Sequence, residues 1–445
     1  MWRADLTQAV DLLALHRRHP RFFPFLLQSV AAHPQSGRWD LLFAFPQDAL
    51  SLTREGLHGA AAPSPSSDFF SALDRWVQSE GSTERDELPF CGGWFLYLGY
   101  EAVRHVEPGL SLPQAPFDLP DALAVRCPAA IVHDRERGRS TAVAETPEQL
   151  DRLLALALHA TPVQTPVVRA AAVREEEATR YLDGVARVLD YLRAGDVFQV
   201  NLSRRWDAQL DRALDAADLY AALQRRNPAP FAGLMRWGDT AVISSSPERL
   251  IRIDDGLAQT RPIAGTRRRG VDAEEDVQLK TMLRENLKER AEHVMLLDLE
   301  RNDLGRVCVP GTIEVNELMT LESYAHVHHI VSNVRGRLRD GVGPGAALRA
   351  VFPGGTITGC PKVRVMEVIA ELEGEGRGPY TGAIGYLSRD GRLDTNILIR
   401  TMVWQPGRVS FRAGAGIVAD SQPQAELQET RAKARGLLLA LGAEA

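Results

Sequence analysis

KERAEHVMLLDLERND, residues 288–303, carries Glu289 and Glu292 three residues apart, and QAELQETRAKA, residues 424–434, carries Glu426 and Glu429 at the same spacing. Side chains at i and i+3 share one face of a helix, so each segment presents two carboxylates in one direction. The adjoining apolar runs VMLLDL and LLLALG must be buried, which turns both helices toward a core. Two such pairs facing each other would supply four hard oxygen donors, a set that suits Mg²⁺ with several retained waters. Histidine and cysteine ligand spacings are lacking nearby, which disfavours a softer metal. Spacing alone leaves a plainer reading open: solvated helix faces with i,i+4 partners, Glu289 with His293 or Glu429 with Lys433.

Around these two segments the pattern alternates. AVISSS (241–246), TGAIGYLS (381–388) and VSFRAGAGIV (409–418) read as strands between helices predicted over 279–299 and 423–441. Upstream, LLFAF (41–45) and WFLYLGY (94–100) read as strands, and AAIVHDRERGRSTAVA (129–144) as a hairpin turning at Gly138. Hairpins mixed with helices point to an α+β fold rather than a doubly wound sheet. The chain lacks G-x-G-x-x-G and P-loop motifs, so a nucleotide fold has no support.

AAAPSPSS (60–67) reads as a loop, and TPVQTPVV (161–168) as an extended linker, since each proline pushes its predecessor out of the helical region. A helix follows, with Tyr181, Val185, Val188, Leu189 and Leu192 in phase behind the acids Glu175–Glu177. The expected organisation is an N-terminal region over 1–160, a linker over 161–173 and a catalytic domain over 174–445.

The 445 residues carry a net charge of −6, which leaves no electrostatic footprint for nucleic acid. The short run Arg267–Arg269 reads as a solvated or substrate-facing loop. Cys91, Cys127, Cys308 and Cys360 are scattered without a C-x-x-C pair, so neither a zinc site nor a disulfide framework is implied. The N-terminus has no apolar leader core, and no run reaches the ~18 apolar residues of a membrane span. A cytoplasmic protein is expected.

FPGGTITGCPK (352–362) and AGAGIVADS (413–421) read as loops whose small residues let a ligand approach backbone N–H groups. Lys362 and Arg400 are cations able to bind carboxylates. Glu248, in the SSSPERL turn after a strand, is a candidate general acid. His329, in AHVHHIVSNV, fits a packed core position better than an acid–base role.

Taken together, FQVNLSRR (198–205), SSSPERL (244–250), TRPIAGTRRRG (260–270), KERAEHVMLLDLERNDLGR (288–306), HHIVS (328–332), FPGGTITGCPKVR (352–364), YTGAIGYLS (380–388), LDTNILIRT (393–401) and AGAGIVADSQPQAELQETRAK (413–433) resemble the chorismate-utilising enzymes. That group includes anthranilate synthase component I and aminodeoxychorismate synthase component I. The resemblance implies two antiparallel β-sheets packed as a sandwich with helices outside. It implies that Glu289, Glu292, Glu426 and Glu429 hold Mg²⁺, and that Glu248 protonates the departing 4-hydroxyl of chorismate. It implies that Tyr380, Arg400, Gly414, Gly416 and Lys433 hold the substrate carboxylates, that Thr260 lines the site and that His329 sits beside the ring. Water-using relatives carry a lysine where this chain has Gln199, so ammonia is the implied nucleophile. A glutamine amidotransferase subunit would supply it, since no glutaminase signature appears here.

Two isomers of amination remain. The para enzymes, the aminodeoxychorismate synthases, usually place a lysine nucleophile in P-I-K-G-T, whereas this chain has Ala264 in P-I-A-G-T, the form typical of the ortho enzymes, the anthranilate synthases. Against that, Q-V-N-L at 199–202, N-P-A-P-F at 227–231, and Gln28 in place of the glutamate that anthranilate synthases use toward feedback tryptophan lean to para. These outnumber Ala264, and para amination for p-aminobenzoate and folate synthesis is the expectation, with ortho amination as the alternative. The intact carboxylates argue against a non-catalytic scaffold.

Overall fold

A computed structural model of the chain describes residues 1–8, 10–31, 37–59, 67–158, 166–211, 213–323 and 327–443. Most of the 60–67 loop and the first part of the 161–173 linker lie outside these residues.

Two large antiparallel sheets form the frame, with twelve and eleven strands among the described residues. The first runs from Trp2–Leu6 through the Ala129–Asp134 and Arg139–Ala144 hairpin, Trp39–Ala44 and Phe25–Gln28. It continues into Phe231–Trp237, Thr240–Ser246, Thr401–Gln405, Arg408–Ile417 and Gln199–Gln209. The second runs from Ile263–Arg268 through Val327–Arg337, Leu257–Arg261, Arg249–Asp254, Leu393–Asn396 and Ala383–Ser388 to Gly93–Leu98, Ala122–Cys127 and Ala49–Thr53. Strands from before and after the 161–173 segment therefore share both sheets.

The sheets face each other across a layer that includes Phe25, Phe43, Phe95, Val125, Val242 and Ile384. Phe25 stacks on Phe95 at 4.1 Å, and burial of each such ring stabilises by roughly 1.5–3 kcal/mol. Helices Pro147–Ala157, Ala216–Arg226 and Pro423–Ala440 cover the outer face of the first sheet, and Phe69–Glu80 and Pro344–Val351 that of the second. Covering both faces explains why strands such as Gly93–Leu98 are apolar throughout rather than alternating. This is the α+β class that the sequence pattern pointed to and the two-sheet sandwich that the resemblance implied.

Two local readings change. The single helix expected over 279–299 is two, Ala273–Glu285 and Leu287–Gly305, parted at Asn286. Asn286 leaves the helical region, and its side chain accepts from the Glu289 N–H at 3.1 Å; asparagine favours this capping role over a helix interior. Glu289 thereby falls in a first turn, with Glu292 on the next. AGAG is not a loop: residues 413–416 lie in the Arg408–Ile417 strand, paired with Asn201–Arg204.

Beneath that strand lies a buried ionic knot. Arg377 donates to Glu373 at 2.6 Å and to the Asn201 carbonyl at 2.7 Å, and Arg412 reaches Glu373 at 3.1 Å. Glu373 also accepts from Ser203 N and Oγ. Burial works to raise this carboxyl, but Arg377 and Arg412 overcome it and hold it below the usual range. Removing one partner of such a cluster strands the other charge. Arg377→Ala is expected to lower unfolding free energy by about 3–5 kcal/mol, measured by denaturant titration; unchanged stability would contradict the role given to the knot.

Candidate active site

The Arg408–Ile417 strand makes the floor. A Cβ on Gly416 would stand 2.4 Å from Gln199 Nε2, and one on Gly414 would stand 2.7 Å from both Asn201 Oδ1 and the Tyr380 hydroxyl. Only glycine lets these polar groups gather over the backbone. Gln199 is 2% exposed and donates from Nε2 to Glu292 Oε1 at 2.9 Å; among the described residues its Oε1 and the Asn201 Oδ1 have no hydrogen-bond partner. Unpaired buried acceptors are costly, and here they point to a ligand.

Three of the four glutamates crowd together. Burial raises the Glu292 carboxyl, and the nearby Glu289 and Glu429 carboxylates raise it further. Glu426, on the same helix as Glu429, is buried beside Tyr181, whose phenol is raised by burial and then by Glu426 and Glu429. Each glutamate of the crowd has its own partner: Glu289 takes Arg267 at 3.0 Å, Glu292 takes Gln199, and Glu429 takes Lys433 at 2.8 Å. Of the two plain i,i+4 pairings open from spacing, Glu429–Lys433 forms. His293 instead meets Ser332 Oγ at 2.6 Å. Among the described residues, no three His, Cys, Asp or Glu side chains stand in metal-binding geometry.

Lys433 bridges this cluster to the rest. Its Nζ donates to the Gly414 carbonyl at 3.0 Å and pairs with Glu429. Lys433 and Glu429 keep 45% and 48% of their side-chain surface open, and Tyr380 and Glu292 also act on the ammonium. Burial works to lower Lys433, and Glu429 outweighs it, so the ammonium is held above its usual range. Tyr380 is raised by burial.

Glu248 sits between strands Thr240–Ser246 and Arg249–Asp254, only 4% exposed. Its Oε1 accepts from Thr356 Oγ1 at 2.9 Å and from the Ile263 N–H at 3.4 Å. Burial pushes its carboxyl up to about 7, against those bonds and the pull of Lys433 and Arg400. Arg400 takes a left-handed backbone conformation, φ 52°, and burial lowers its guanidinium, with Glu248 the opposing charge. No ion pair or hydrogen bond engages that guanidinium among the described residues. A half-buried, unpaired guanidinium fits an anionic ligand.

His329 Nδ1 meets Thr266 Oγ1 at 2.8 Å, and burial, then Arg400, lowers its pKa to about 3, so it is neutral. Thr260 is buried beside the Glu300 carboxyl, which its hydroxyl helps to hold. Ala264 lies on the Ile263–Arg268 strand, buried, two residues before Thr266. Lys362, expected to be available to a carboxylate ligand, is instead spent on Asp303. Sequence reasoning missed Thr356, Thr266 and Arg267: FPGGTITG was weighed for its backbone, and Arg267 for a loop, although it lies on a strand.

Residues 28–439 match a family model described as chorismate binding enzyme. The chain is 39% identical to anthranilate synthase component 1 of Pseudomonas aeruginosa over 94% of this chain and 90% of that one. It is 44% identical to the protein of the same name from Thermus thermophilus, over 80% of this chain and 79% of that one. The crystal structure of anthranilate synthase component I from Streptococcus pneumoniae superposes with a TM-score of 0.81 at 32% identity, covering 91% of this chain and 93% of that one. The matched span holds every residue of the site just described, and the chain belongs to the family of chorismate binding enzymes.

Proposed function

We propose that this chain is the component I of an anthranilate synthase, converting chorismate and ammonia to anthranilate, pyruvate and water. The observation that carries the ortho reading over the para one is Ala264. The para route usually runs through a lysine amine at that position, and a buried methyl group offers no nucleophile. The relatives named for anthranilate synthase favour the same isomer. Of the features that lean to para, 227–231 and Gln28 lie away from Ala264, and 199–202, although it lies in the site, offers an amide rather than an amine nucleophile. They keep para amination as the second reading.

Mg²⁺ fits the donor set. Glu289, Glu292 and Glu429 are hard oxygen donors whose mutual repulsion a divalent ion would relieve, Glu426 lies one turn from Glu429 on the same helix, and Gln199 Oε1 adds an acceptor with no partner among the described residues. These residues would hold the ion, which when bound supplies charge stabilisation at the ring carboxylate. Arg400, Lys433, Tyr380 and the backbone at Gly414 and Gly416 take the substrate carboxylates. Glu248, whose raised carboxyl keeps its proton up to about pH 7, gives that proton to the 4-hydroxyl as that group leaves. Ammonia adds at C2 from the Gln199 side, and neutral His329 flanks the ring without adding charge. The enolpyruvyl group then leaves as pyruvate and the ring becomes aromatic. A glutamine amidotransferase subunit supplies the ammonia.

Incubation with chorismate, MgCl₂ and an ammonium salt should yield fluorescent anthranilate directly. If the product instead gives p-aminobenzoate only after aminodeoxychorismate lyase is added, the para reading replaces this one. Glu248→Gln should reduce kcat by about 10²–10⁴. Because the acid form does the work and its pKa is raised to about 7, wild-type kcat/KM at constant free NH₃ should fall as pH rises through 7; a flat profile would remove Glu248 from proton donation. Tryptophan should inhibit weakly, because Gln28 is uncharged and its amide is already held by Asp40 and Gln224. Inhibition at micromolar tryptophan would refute that.

A further inference from the structure

We infer that Arg267 is a built-in counter-ion that occupies Glu289 until a divalent cation displaces it, so that ion binding is an exchange rather than an addition. This rests on the Mg²⁺ site proposed above. Arg267 Nη1 donates to Glu289 Oε1 at 3.0 Å and to the Thr266 carbonyl at 2.9 Å. The other carboxylate oxygen, Oε2, lies against Gly265, 3.0 Å from where a Cβ there would be. One oxygen of Glu289 is therefore bonded to the Ile263–Arg268 strand, and the other is packed against it.

The other partners differ in kind. Lys433 meets Glu429 within one helix turn, and Gln199 brings Glu292 a neutral amide. Arg267 alone of the three is a charge carried from a sheet edge to the helix, 22 residues apart in sequence. A divalent ion drawing Glu289 toward Glu292 must break this bridge. The strand it frees also carries Ala264 and Thr266, the hydroxyl partner of His329, so ion loading reaches the residues beside the substrate ring.

The test titrates the full chain with MgCl₂ alone, in a calorimeter, without chorismate or ammonium. Arg267→Gln should bind Mg²⁺ roughly three- to tenfold more tightly than wild type, the scale of removing one half-exposed competing cation. Arg267→Lys, which keeps the charge, should fall between them and guards against a folding defect in the first variant. Arg268→Gln removes an equal charge from the exposed pair with Glu275 and should leave affinity unchanged. Equal affinity in Arg267→Gln and wild type, weaker binding, or an equal gain in Arg268→Gln would each overturn the exchange. If wild type and all three variants fail to bind Mg²⁺, the ion site itself is wrong, an outcome distinct from the others.

Discussion

Mutual repulsion among glutamates held on two helices is the constraint around which the site is arranged. Carboxylates brought together in a partly desolvated recess must find cations, donors or protons. Here they find all three: Arg267 and Lys433 as cations, the Gln199 amide as donor, and a raised Glu292 that takes a proton more readily. The fold keeps the crowd in place. Leu287–Gly305 is tied to the second sheet through His293 and Ser332, and Pro423–Ala440 packs on the first. Neither helix can swing outward to relax the repulsion without opening a core.

The opposite wall carries the complementary tension. Among the described residues Arg400 is a guanidinium without an ion pair or hydrogen bond, near a Glu248 whose carboxyl burial raises to about 7. Were Glu248 fully ionised, its charge would offset that of Arg400. Thr356 and the Ile263 amide hold Glu248 at one oxygen and leave it short of full ionisation. A dianionic substrate suits the free cation on this wall, and an added divalent ion suits the excess anion on the other. The buried Glu373–Arg377–Arg412 knot beneath the glycine strand is fully paired, so its charges do not compete for the ligand.

Periodicity made the strands and the two key helices legible, because burial on both sheet faces leaves long apolar runs and helical carboxylates repeat at i and i+3. The break at Asn286 was hidden, since one capping bond outweighed a helical pattern that continues on both sides. AGAG misled for a related reason: glycine signals a turn locally, but here a flat strand needs glycine so that Gln199 and Tyr380 can stand over it. Lys362 could not be separated from Arg400 in sequence, because what divides them is Asp303, 59 residues away from the lysine. Arg267 was visible only as one of three consecutive arginines, and strand alternation decides which of them faces the glutamates.

The isomer question turns on the same distinction between what touches the reacting carbon and what does not. The features that lean to para outnumber Ala264, and weighed equally they favour the para product. They are not equal. A change at Gln28 alters a recess bounded by Asp40 and Gln224, whereas the side chain at 264 decides whether a covalent route through the ring exists at all. With a methyl group there, direct addition of ammonia at C2 needs no further residue. The para product needs a substitute nucleophile within reach of the ring: Lys433 is held by Glu429 and the Gly414 carbonyl, Lys362 by Asp303. Each of those two amines would have to abandon a charge partner before it could attack.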